Sequence, residues 1–203
     1  MISVLQNGTL LRAPNGAILD AHSSITLIRS QNKSIIVDTG FPGDEENILH
    51  GLDVNGLSPQ DIQIVINTHG HMDHTAGNKL FTNARFIMHP FEGGRSVIPP
   101  GVEVQQVEPP FTLDEHISFI HTPGHTRGCI SVVIKGLASD FSSESEVVVC
   151  AGDALPIYGN YTQWVPPGIH YDRRVALDSM NRITEIADWV IPGHDKPFRV
   201  EKM

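Results

Sequence analysis

The stretch VINTHGHMDHTAGN, residues 65–78, decides how this chain is read. His69, His71, Asp73 and His74 fall within six positions, directly after the apolar run IQIVI, in a chain with 11 histidines among 203 residues. So many ionisable groups at the end of a buried strand are costly unless a cation is shared between them. A single buried His–Asp pair is more often structural. The HxHxDH run is different, and its density points to metal ligation.

Metal ligands must converge in space, so partners of this cluster are expected at other strand ends. HTPGHTRG places His125 behind a Pro-Gly turn, VVVCAGDAL places Asp153 after a buried strand, and WVIPGHDKP places His194 after the last strand. All repeat the pattern of the opening stretch: apolar strand, small or turn residues, ligand. Strand ends of this kind gather at one edge of a layered α/β fold, where sites form. Four ligands complete one zinc site, whereas seven fit two ions with three terminal ligands each and one bridging carboxylate. Imidazole and carboxylate suit Zn most readily, with Fe or Mn also accommodated, and the lack of thiolate argues against a zinc finger. Two ions about 3.5–4 Å apart would share a bridging hydroxide and polarise the bond it attacks.

Around these motifs the chain alternates between strand and helix patterns. Strands are expected near 2–5, 9–12, 24–30, 34–38, 62–68, 85–89, 102–107, 116–121, 129–135, 146–151 and 188–194. Helices are expected near 43–55, 59–62, 73–80 and 171–187. Strands precede helices twice, which predicts an α/β (α+β) protein built as an αββα sandwich, with residues 1–203 as a single domain. The hydrophobic fraction is 40%, and 18 Gly and 14 Pro supply the turns. A net charge of −9 argues against a broad basic face for a polyanion. No apolar run approaches the ~20 residues of a membrane helix. The N-terminus MISVLQNGTLLRAPNG lacks signal-peptide organisation. The two cysteines, Cys129 and Cys150, lie in apolar runs and read as reduced core thiols, so an intracellular protein with no membrane association is expected.

Two segments are candidate cleft walls. ALPIYGNYTQWVPPGIHYD carries Tyr158, Tyr161 and Trp164, which could stack on a base or pack on an acyl chain; alternatively they pin the loop or form a dimer contact. FEGGRSVIPPG carries Arg95, a candidate anion contact. The remaining histidines, His22, His50, His89, His116, His121 and His170, read as surface or supporting residues.

In their order along the chain, VDTG, THGHMDH, TPGHT, AGDAL and IPGHD resemble the motifs of the metallo-β-lactamase superfamily across nearly its whole length. That resemblance implies the metallo-β-lactamase fold. It implies that His69, His71 and His125 hold a first ion, that Asp73, His74 and His194 hold a second, and that Asp153 bridges them. Asp38 would orient the site without ligating, and Asp73 or a bound water would relay the proton. True β-lactamases commonly carry cysteine where Asp153 stands, and flavo-diiron proteins carry glutamate where His71 stands. The wording of the motifs is most similar to the metallo-β-lactamase domain-containing protein 1 group. Likeness to that group implies a homodimeric two-zinc endoribonuclease of the histone pre-mRNA processing type, cytoplasmic or nuclear. Two alternatives stay open at this level. One is a hydrolase of small thioesters, esters or lactones, glyoxalase II-like or lactonase-like. The other is a mononuclear iron oxidoreductase similar to persulfide dioxygenases.

Overall fold

The central strands are nearly continuous apolar runs, so both of their faces require cover. A computed structural model, which describes residues 1–94 and 96–202, supplies that cover with two stacked sheets and helices on their outer faces. Arg95 and Met203 lie outside the described residues, and with Arg95 the candidate anion contact in that loop.

The first sheet runs β1 (Ile2–Gln6), β4 (Ile25–Ser30), β5 (Lys33–Val37), β6 (Ile64–Ile66), β7 (Arg85–Met88) and β8 (Val104–Gln106). Its first three strands are antiparallel, and from β5 onward the pairing is parallel. The second sheet runs β14 (Phe198–Arg199), β13 (Trp189–Pro192), β12 (Val148–Gly152), β11 (Ile130–Ile134), β10 (Ile117–His121) and β9 (Phe111–Thr112). Only β12 and β13 pair in parallel there.

The strand period of two sorts the side chains into layers. Ile35 and Val37 face the second sheet, meeting Phe119, Val132, Cys150 and Ile191 in the central core. Ile36 points the other way, onto Ile48 and Leu52 of α1 (Glu45–Val54). In the second sheet Val148 and Cys150 point inward, while Val149 packs outward on Met180 and Ile183 of α4 (Arg173–Ile186). Each such side chain, fully buried, contributes about 1.5–3 kcal/mol. The αββα sandwich expected from the pattern is the architecture found.

Three local expectations need correction. No strand is expected between 12 and 24, yet Ile18–His22 forms β3 and pairs with β2 (Thr9–Arg12) in a separate hairpin. The hairpin is mostly exposed, so no burial alternation marks its second strand. The helix expected over 73–80 is only one turn, α2 (Met72–Thr75), followed by a tighter 3-10 turn at Ala76–Leu80. The segment 158–163, read as irregular, forms the short helix α3 (Tyr158–Gln163).

Candidate metal centre

The loops following β6, β10, β12 and β13 meet at one edge of the sandwich. They bring together three trios: His69, His71 and His125; His69, His74 and Asp153; and Asp73, His74 and His194. Ligand atoms within each trio lie within 4.8 Å of one another. His71 Nδ1 is 2.9 Å from His125 Nε2, and His74 Nε2 is 3.4 Å from His194 Nε2. Asp153 sits between the groups. Its Oδ2 is 3.3 Å from His125 Nε2, while its Oδ1 is 3.3 Å from His74 Nε2 and 3.1 Å from His194 Nε2. Asp73 Oδ2 lies 3.4 Å from His194 Nε2.

Most of the imidazoles are aimed by a bond at the far nitrogen, which leaves the near one for the centre. His74 Nδ1 donates to Asp38 Oδ2 at 2.8 Å, His125 Nδ1 to the Ile169 carbonyl at 2.8 Å, and His194 Nδ1 to the His22 carbonyl at 2.9 Å. His69 Nδ1 meets Thr68 Oγ1 at 3.2 Å. Asp38 itself also accepts from the Thr68 amide and hydroxyl, at 2.8 and 2.7 Å. Its backbone adopts φ 55, a left-handed conformation that aspartate tolerates better than most residues and that turns its carboxylate under His74. Gly193 is required beside Asp153, because a Cβ there would collide with Asp153 Oδ1.

The electrostatics follow from burial and crowding. Burial holds His69 well below the ordinary imidazole value, with repulsion from His74 adding to it. Burial and the neighbouring His125 also lower His71. His74 is opposed by its burial, yet Asp38 and Asp153 push it well above the ordinary value. His194 is likewise raised against its burial, by Asp153. Asp153 is held well below the carboxylate range because His194 and His74 outweigh its desolvation. Even so, His69 Nε2 and Asp153 Oδ1 are buried with no hydrogen-bond partner. Buried orphans of this kind call for an unseen partner. An imidazole nitrogen and a carboxylate oxygen facing one space are donors suited to divalent cations. The donor set fits two ions.

A cavity of about 150 Å³ opens over the cluster. Its floor is His71, Asp73, His125, Asp153 and His194, and Leu10, Ile18 and Ala21 of the β2–β3 hairpin form one wall. Pro156, Pro167, Gly168 and Ile169 form another, and Arg12 lies at the margin, its guanidinium held 2.9 Å from the Gly16 carbonyl. Tyr158, Tyr161 and Trp164 are not among the lining residues. Tyr158 and Tyr161 pack on Phe198 with ring centroids 5.0 and 5.3 Å away, the arrangement in which the aromatics pin the loop. Their segment reaches the cavity through Pro156, Pro167, Gly168 and Ile169 instead. Arg12 and the hairpin wall escape a sequence reading because no motif ties them to the ligands. Cys129 and Cys150 are buried, and burial pushes both thiols up to about 12, as expected of core cysteines.

Residues 19–194 match the model of the metallo-β-lactamase superfamily. The chain is 39% identical over its full length, and 91% of the relative's, to a probable metallo-hydrolase of Methanocaldococcus jannaschii. It is 32% identical to the metallo-β-lactamase domain-containing protein 1 of Xenopus laevis, over 92% of this chain and 76% of that one. Among solved structures, an N-acyl homoserine lactone hydrolase with N-hexanoyl-L-homoserine bound at its catalytic metal centre superposes with a TM-score of 0.75. That alignment has 22% identity and covers 96% of this chain and 92% of that one.

Proposed function

This chain belongs to the metallo-β-lactamase superfamily and is a metal-dependent hydrolase of that family, and we propose that its substrate is a small ester, thioester or lactone. In this reading His69, His71 and His125 would hold one divalent ion, Asp73, His74 and His194 would hold another, and Asp153 would be shared between them. When bound, such a pair of ions supplies an activated water and Lewis acidity at the scissile bond. The protein supplies the rest. The hairpin and the proline-rich loop exclude solvent, and Arg12 presents a guanidinium to a polar or anionic end of the substrate. Asp73, whose side chain is 23% exposed, is the carboxylate of the set placed to pass a proton to the leaving group.

The observation that carries this reading is the cavity lining. Apolar side chains and prolines surround the ligands, and among the described residues Arg12 is the single lining cation. A polynucleotide track needs several cations in succession, because phosphate neutralisation dominates its affinity. The net charge of −9 adds to that mismatch.

A second reading, cleavage of RNA phosphodiesters by a homodimer, has its support in the motif resemblance to the metallo-β-lactamase domain-containing protein 1 group. The test is a comparison of single-stranded RNA with panels of lactones, esters and thioesters, using protein loaded with a defined metal. Turnover of a small substrate that vanishes in Asp153→Ala is the expected result. RNA cleavage abolished by Asp153→Ala, with inert panels, would establish the nuclease instead. One iron per chain with no hydrolysis of either class would overturn both.

A further inference from the structure

Glu92 is a buried carboxylate outside the ligand set, 1% exposed, at the end of the 3-10 turn Pro90–Glu92. Each of its oxygens is committed to a backbone amide on a different ligand loop. Oε2 accepts from Gly70 at 2.9 Å, and Oε1 accepts from Gly128 at 2.9 Å. Gly70 lies between His69 and His71, and Gly128 follows His125 by three residues. The two loops that carry the first trio are therefore joined through one side chain. The turn that presents it is itself braced, with the Glu92 amide on the His89 carbonyl at 2.9 Å and the Phe91 amide on His89 Nδ1 at 3.2 Å. The approach at Gly128 leaves no room for a side chain, since a Cβ would lie 2.6 Å from Glu92 Oε1.

We propose that Glu92 is the positioning residue of the first ion's pocket: by holding the Gly70 and Gly128 amides together it sets the spacing of His71 and His125. The inference rests on the reading of the seven residues as ligands of two ions. Glu92 touches neither ligand atoms nor cavity, and it acts through the loops. The trio of Asp73, His74 and His194 has a different support, with His74 on Asp38 and His194 on the His22 carbonyl. Loss of Glu92 should consequently be felt at one ion and not at the other.

Cobalt(II) titration of the metal-free protein, followed by its visible spectrum, reads this selectivity. The absorption step missing in His125→Ala marks the first ion, and the step missing in His194→Ala marks the second. In Glu92→Ala the first step should weaken by about 10–100-fold, the range for outer partners of metal ligands, while the second stays unchanged. Glu92→Gln keeps the shape and one acceptor oxygen, so it should fold and fall between. Its loss should appear as faster hydrogen exchange at the Gly70 or Gly128 amide. Wild-type affinity for both ions in Glu92→Ala, or unchanged exchange at both amides in Glu92→Gln, would overturn the proposal. Equal weakening of both ions would also overturn it, since that marks general destabilisation. Wild-type protein that binds fewer than two cobalt ions would sink the two-ion reading, and this inference with it.

Discussion

At the scale of single residues, the candidate ligands stood out because their chemistry is dense and local, while their supports did not. HxHxDH declares itself within six positions, and His125, Asp153 and His194 each stand at a strand end behind small residues. Glu92 and Arg12 carry no such mark. A lone glutamate in a proline-glycine loop gives no sign that both of its oxygens will be spent on distant amides. Asp38 lies between these cases, visible as a strand-end aspartate whose three bonds appear only in the fold. Asp38→Ala would leave the buried His74 and Thr68 donors without an acceptor. Stability should fall by about 3 kcal/mol or more, measured by urea unfolding, because breaking a buried charged pair leaves its partner uncompensated. The second ion's affinity should fall with it, and Asp38→Asn should recover part of the stability.

At the scale of elements, buried strands and the long amphipathic helix were the clear signals, since burial on a fixed face imposes a period. The β2–β3 hairpin has no buried face, and α3 lacks the length for a helical period to show. Only assembly reveals that the hairpin walls the cleft and that α3 turns its tyrosines onto Phe198 instead. Helix α4 does more than cover the second sheet. Ser179 Oγ donates to the Pro123 carbonyl at 2.6 Å, and the Tyr171 amide just before the helix to the Gly124 carbonyl at 2.8 Å, so the helix body and its lead-in are both tied to the loop carrying His125. Its N-cap is Asp172, whose Oδ1 accepts from the Arg174 and Val175 amides at 2.9 and 3.0 Å. Asp172→Ala should lower stability by about 1 kcal/mol, the usual value of such a cap. Thermal or urea unfolding checks the loss, and metal stoichiometry should stay at its wild-type value.

At the scale of the whole molecule, the metal centre couples the two sheets to pH. Without metal, His74 and His194 have raised values, so their contribution is complete below the ordinary imidazole value of 6.5 and is lost as pH rises through their folded values. His69 and His71 have lowered values, so below 6.5 the unfolded chain binds protons that the folded chain refuses, and stability falls toward acid. Asp153, depressed below 3.8, adds a further loss only when pH falls through its folded value. Metal-free protein should therefore be most stable near pH 6.5. With metal bound the imidazoles must be neutral, so the optimum should move upward and the gain in melting temperature on adding metal should grow as pH rises above about 6.5. A scan of melting temperature against pH, with and without chelator, checks both curves. Across the described residues no helix is long and apolar enough to cross a membrane.

The sequence by itself determined the layered frame, through strand periodicity, and the identity and order of the ligand candidates, through their placement at strand ends. Only the tertiary structure decided which nitrogen of each imidazole faces the centre, how Asp153 divides its oxygens, and which side chains wall the cleft. The reason is separation along the chain. His74 and His194 stand 120 positions apart, and Gly70 and Gly128 meet through Glu92 although neither is its neighbour. Local pattern encodes which face a residue presents. Which distant loop it meets is settled only when the two sheets stack.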